Sequence, residues 1–221
     1  MTTDPHFEYF IEKFGEATHS LPVPNSILAQ WKDKLPPILL TLWSEEGWAG
    51  YANGLLWLVN PDDFEDIKDA WLEGTPLPCI DNFHVIARSA FGSLYLCGEK
   101  TGRSVTISCP HNEILALKKK LKPKPLQEQD FSIQSFFGSR DPEDFDFKDT
   151  KGKFLFDRAM KKYGPLEADE MYGFEPALVM GGDATLDNLQ RVKLDPYLLI
   201  LRQFDDPKLP FSKLDFDTLI K

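Results

Sequence analysis

The stretch WAGYANGLLWLVN, residues 48–60, decides the fold. Asn53-Gly54 stands between two runs of aromatic and aliphatic residues, and a tight hairpin turn needs positive φ at its central positions, which Asn and Gly tolerate best. The stretch therefore reads as a β-hairpin. Downstream, HVIARSA (84–90), SLYLCGE (93–99) and SVTIS (104–108) have the composition of short strands, joined by Phe91-Gly92 and by KTGR (100–103). Together they give an antiparallel meander. Around it lie helices. Asp4-Pro5, Asn60-Pro61 and Asp195-Pro196 each place a capping side chain before a proline at the first helical position, where the missing N–H costs nothing. Phe7, Phe10, Ile11 and Phe14 then recur at helical spacing, as do Phe64, Ile67, Lys68, Trp71 and Leu72 before Gly74. Ile27, Leu28 and Trp31 suggest a short helix, and PPILLTLWSEEG (36–47) another. The predicted class is α+β: an antiparallel sheet of five or six strands, helices packed on one face, and a smaller C-terminal α+β unit against it.

KKKLKPKPLQEQ (118–129) is basic, interrupted by proline and nearly free of large apolar residues, which marks a linker between a domain at 1–117 and one at 130–221. Beyond it, SFFGSRDPEDFDFKD (135–149) reads as an acidic loop around short elements. KGKFLFDRAMKKYGP (151–165) reads as a helix stopped by Gly164-Pro165. FEPALVM (174–180) reads as a strand, and PYLLILRQF (196–204) as a helix apolar nearly all round and hence buried.

Composition bounds the function. A chain of 221 residues that is 42% hydrophobic can bury a sizeable core, and a formal charge of −10 repels nucleic acid and attracts a basic partner. No apolar run is long enough for a membrane span and the N-terminus lacks the pattern of a signal peptide, so the chain reads as cytosolic. Cys79, Cys97 and Cys109 form no CxxC pair, and His6, His19, His84 and His111 form no metal or hydrolase motif. His84 reads as structural. Cys109 and His111 alone are too few for zinc, and no metal or cofactor is expected. GEKTGRS (98–104) has the wrong glycine spacing for a phosphate loop and is followed by a strand, so it reads as a hairpin turn. Gly181-Gly182 before DATLDNL (183–189) reads as a strand-to-helix turn. Adjacent Asp169 and Glu170 point apart on either a helix or a strand, which argues against paired acid-base chemistry and against an enzyme.

LWSEEGWAGYANGLLWLVNPDDFEDIKDAWL (42–72), FHVIARSAFGSLYLCGEKTG (83–102) and GPLEADEMYGFEPALVMGGDATLDNLQRVK (164–193) together resemble the bacterial family that joins a GAD-like domain to the C-terminal domain of type VI secretion immunity proteins. The resemblance runs from about residue 7 to 205. Two departures stand out: Cys97 where the family has a tryptophan, and Glu175 where it has an apolar residue. The resemblance implies a cytoplasmic inhibitor that binds a cognate DNase toxin, as a monomer when free or a 1:1 heterodimer with the toxin. It would occlude the toxin's basic DNA groove. Candidate contacts are Glu45, Glu46, Trp48 and Tyr51 in one stretch, and Asp169, Glu170, Tyr172 and Glu175 in the other, with Tyr172 as an aromatic anchor and Asp169 and Glu170 opposite toxin cations; Trp48 and Tyr51, next to a hairpin, read at least as well as core residues. The alternative is a scaffold or interaction module of the same fold whose partner is not a toxin.

Overall fold

The computed structural model describes residues 4–210. Helix α1 (Pro5–Phe14) begins as its sequence dictates, with the Asp4 carboxylate accepting the backbone N–H groups of His6 and Phe7 at 3.0 and 3.1 Å. Strand β1 (Thr18–Leu21), helices α2 (Asn25–Trp31) and α3 (Pro37–Glu46), and strands β2 (Trp48–Tyr51) and β3 (Leu56–Leu58) follow. The hairpin is present, with Tyr51 opposite Leu56, but its loop is longer than the two-residue turn. Ala52, Asn53 and Gly54 all take positive φ, at 48°, 58° and 91°. The Trp57 indole folds back to donate to the Gly54 carbonyl at 2.7 Å, and a Cβ on Gly54 would meet that ring at 3.1 Å. Glycine is thus needed there for both backbone and space.

Asn60-Pro61 opens a 3-10 turn (Pro61–Phe64) that runs into α4 (Glu65–Leu72). Strands β4 (Phe83–Ser89), β5 (Ser93–Gly98), β6 (Gly102–Ser108) and β7 (Glu113–Ala116) complete a sheet whose spatial order is β1 to β7, every neighbour antiparallel. It has seven strands rather than five or six. The additional edge strands β1 and β7 are only four residues each, too short for alternation to show in the sequence. At the β5–β6 turn, the Asp81 carboxylate accepts the N–H groups of Lys100 and Thr101, so GEKTGRS is a braced hairpin turn.

The α+β class holds, but the helices cover both faces of the sheet. Strand alternation sends Leu56, Leu58, Tyr95 and Cys97 to one core and Trp57, Val59, Leu94 and Leu96 to the other. The first core is closed by α1, α3 and α5 (Leu126–Gly138), where Phe7 and Phe10 pack edge-on to Phe137. Each fully buried Phe contributes roughly 2 kcal/mol through area removed from water. The second core is closed by α4 and α7 (Leu194–Phe204), which are joined by the Trp71 indole donating to the Leu198 carbonyl at 3.1 Å.

Between α5 and α7 come α6 (Phe156–Tyr163) and a second, two-stranded sheet, β8 (Glu170–Phe174) with β9 (Leu189–Lys193). Several expectations are corrected here. The strand lies at 170–174, not 174–180: Pro176 has no N–H to give a ladder, and Leu178–Met180 is a 3-10 turn. The last helix starts at Leu194, so Asp195 is inside it and caps nothing; Ile200 and Phe204 are 49% and 44% exposed, so it is buried on one side only. Residues 126–129 of the supposed linker form the first turn of α5, with Gln129 buried. Thr185 lacks a capping bond and DATLDNL holds only a 3-10 turn before β9. In the acidic loop, Asp146 accepts the N–H groups of Phe147 and Phe156 at 2.6 and 2.9 Å, so its charge is used internally.

Candidate partner-binding surface

The eight residues singled out from the sequence divide sharply. Tyr51 and Tyr172 are interior, both 0% exposed, which removes them as anchors for a partner. Tyr51 packs edge-on to Phe10 at 4.9 Å, and burial together with Glu46 pushes its phenol well above its ordinary pKa. The Tyr172 hydroxyl donates to the Gly164 carbonyl at 2.6 Å and its N–H to the Ala90 carbonyl at 2.8 Å, fixing the β8 hairpin to the main sheet. Glu46 and Trp48 are half-buried, with the Trp48 ring edge-on to Trp43 at 6.1 Å. Glu45, Asp169 and Glu175 are exposed.

The acidic turn before β8 is largely neutralised by its own hairpin. Register places Lys193 opposite Glu170, and the Lys193 ammonium reaches Asp169 at 2.7 Å and Glu170 at 3.6 Å, while Arg191 reaches Glu170 at 3.4 Å. The bond from Lys193 holds the Asp169 carboxyl below its usual range. Beneath the turn, Arg88 is fully buried above the Trp57 ring and donates to the Ala168 carbonyl at 2.7 Å. Burial lowers its pKa to about 9, opposed by the charges of Asp169 and Asp195.

A larger acidic surface lies elsewhere. Asp62, Asp66, Asp69 and Glu73 recur at the spacing of one helix face on the 61–73 segment, opposite the buried Phe64, Ile67, Trp71 and Leu72, and all four are exposed. The segment's sole cation, Lys68, is buried, its ammonium held by Glu65 at 2.6 Å and Asp69 at 2.9 Å. Asp195 on α7 extends the surface. Its carboxyl is raised by desolvation and by the charges of Asp63 and Asp169; that of Asp63 is raised by desolvation and by Asp62, against a hydrogen bond from Asn60. After desolvation, like-charge repulsion thus links Asp195 to Asp63 and Asp169, and Asp63 to Asp62. Sequence reasoning missed the surface because the segment was read for its core face alone; the 62, 66, 69, 73 spacing was the available signal.

Among the described residues, no group of three or more His, Cys, Asp or Glu side chains is placed to hold a metal ion. The His111 ring meets Ser108 at 2.8 Å and stacks on Phe147, while Cys109 is buried. Burial pushes the Cys97 thiol up to about 12, so the residue that departs from the family pattern is an inert packing group. His84 is buried between Glu65 and Glu99, edge-on to Trp31 at 4.6 Å. No helix among the described residues is long and apolar enough to cross a membrane.

The α+β fold thus joins two cores on one sheet and carries exposed carboxylates along the 61–73 segment. Residues 5–111 match the GAD-like domain, and residues 130–205 match the C-terminal domain of the type VI secretion system immunity protein Tdi1. The chain belongs to the family that joins these two domains. The crystal structure of Atu4351 from Agrobacterium tumefaciens shares the fold, with a TM-score of 0.77 at 23% identity over 89% of this chain and 88% of that one. No curated protein matches the chain.

Proposed function

We propose that this protein is the immunity partner of a type VI secretion DNase toxin and neutralises it in the cytosol of the producing cell by covering the toxin's basic DNA groove. The observation that carries the reading is the immunity-domain match over residues 130–205. Charge supports the mode of action: a nuclease must present cations to phosphate, and a chain of −10 with exposed carboxylates along the 61–73 segment is complementary to that groove. We place the centre of the interface on Asp62, Asp66, Asp69 and Glu73, with Asp195 and Asp169 at its border. Inhibition is then steric and electrostatic, with no bond made or broken.

Co-expression with the toxin encoded by the adjacent reading frame tests the proposal. Toxicity should vanish, and the two chains should elute together as a 1:1 complex that no longer binds DNA. Protection without a physical complex would contradict direct inhibition. Protection by a complex that still binds DNA would remove the groove as the site.

A further inference from the structure

A cleft of about 480 Å³ opens between α5 and the β6–β7 edge, and its charge is opposite to that of the rest of the molecule. Arg103, Lys120, Lys124 and Arg140 line it, against a single lining carboxylate, Glu128. Among the described residues, none of these four cations is in an ion pair. Arg103 is clamped between the Tyr95 and Phe136 rings, 5.1 and 4.8 Å from their centroids, and bonds only neutral groups: the Val105 carbonyl at 2.7 Å and the Thr106 hydroxyl at 2.6 Å. Its Nε is buried without a partner. Lys124 is likewise held by the backbone carbonyls of Thr101 and Lys120.

Such an arrangement is costly for a purely structural element. Burial lowers Arg103 to about 10, with Arg140 adding repulsion, and Lys120 is lowered by desolvation and then by Arg103, Arg140 and Lys119. A chain with 35 acidic residues had ample means to pair these cations, yet they converge unpaired on one cleft. The rim is apolar: Leu115 and Phe131 are 36% and 59% exposed beside the charges. A volume of this size suits a small molecule.

We infer that the α5–β6 cleft binds a small organic phosphate, its anionic groups on Arg103, Lys120 and Arg140 and a flat apolar body against Phe131 and Leu115. Phosphate fits better than a single carboxylate, because several cations surround the anion and the Thr106 hydroxyl, which accepts from Arg103, keeps its own hydrogen to donate. The site is separate from the acidic surface and has the wrong sign for a nuclease groove, so it stands whether or not the toxin reading does.

Calorimetric titration of the full chain with inorganic pyrophosphate, adenosine triphosphate and citrate tests it. Saturable binding of both phosphates is expected, weakening with salt, with adenosine triphosphate the tighter by about tenfold from contact with the rim. The Lys120→Ala, Arg140→Ala double variant alters two exposed side chains, so circular dichroism should match the parent, while both affinities fall by at least about tenfold. Phe131→Ala should abolish the advantage of adenosine triphosphate and leave pyrophosphate unchanged. Absence of saturable binding at low millimolar concentration, or equal binding by the folded double variant, overturns the site. Citrate binding as tightly as pyrophosphate overturns its assignment to phosphates.

Discussion

Two segments of this chain, 61–73 and 164–175, are comparably acidic on paper and very different in the fold. In the second, strand pairing brings Lys193 and Arg191 across to Asp169 and Glu170, from residues more than twenty positions away, and the charges cancel locally. In the first, the helix turns its one cation inward to pair with Glu65 and Asp69, and among the described residues Asp62, Asp66 and Glu73 stay exposed with no ion pair. Charge density in a sequence becomes potential at a surface only where the local geometry supplies no counter-charge. A helix keeps its own neighbours three and four residues away, whereas a hairpin imports them.

The largest effect should come from Tyr172→Ala. Because the ring is core, we expect a loss of about 3–5 kcal/mol of stability in denaturant titration, and weaker toxin binding only through unfolding. A folded Tyr172→Ala variant with unchanged stability and a faster dissociation rate would restore the anchor role and break the comparison. Next, Asp66→Lys with Glu73→Lys should slow association with the toxin about tenfold at low salt, the difference closing at high salt. Asp169→Asn with Glu170→Gln should slow it far less. Stopped-flow mixing of each variant would reverse the ranking of the two segments if the second pair had the larger effect.

The titrations should separate in the same way. By carboxyl NMR, Asp63 and Asp195 are expected above the ordinary value of 3.8 and Asp169 below it. Since the folded chain holds protons more tightly than the unfolded one at Asp63 and Asp195, their charged forms oppose folding, and stability gains as pH falls through their folded values toward 3.8. Asp169 does the reverse: its contribution is present above 3.8 and is lost as pH falls through its lower folded value. One common midpoint for all three would erase the distinction. The smallest effect is that of Lys193→Met, an exposed site whose ion pairs add little to stability. It should leave the melting temperature nearly unchanged, return the Asp169 titration toward the ordinary value, and slightly quicken encounter with the toxin.

Features fixed by neighbours in sequence were legible beforehand. The Asp4 cap, the positive-φ turn around Asn53-Gly54 and the β4–β6 meander each follow from local stereochemistry. Features fixed by distant pairing were not. Whether EMYGF or FEPALVM forms the strand depends on β9, which lies about fifteen residues beyond and carries no strong alternation of its own. For the same reason Tyr172, beside three carboxylates, looked like a surface residue: its burial is decided by Gly164, Ala90 and Phe91. The second face of the sheet escaped notice because α7, which covers it, comes from the far end of the chain.

That last arrangement bears on how such a gene can change over generations. The GAD-like stretch contributes the main sheet, and the immunity stretch contributes α5 on one side of it and α7 on the other, so the two halves grip each other from both sides. A recombination event that exchanged one half with a relative would have to match the undersides of both helices at once. The outward faces carry no such obligation. Substitution on the outward faces is therefore less constrained than exchange of either half.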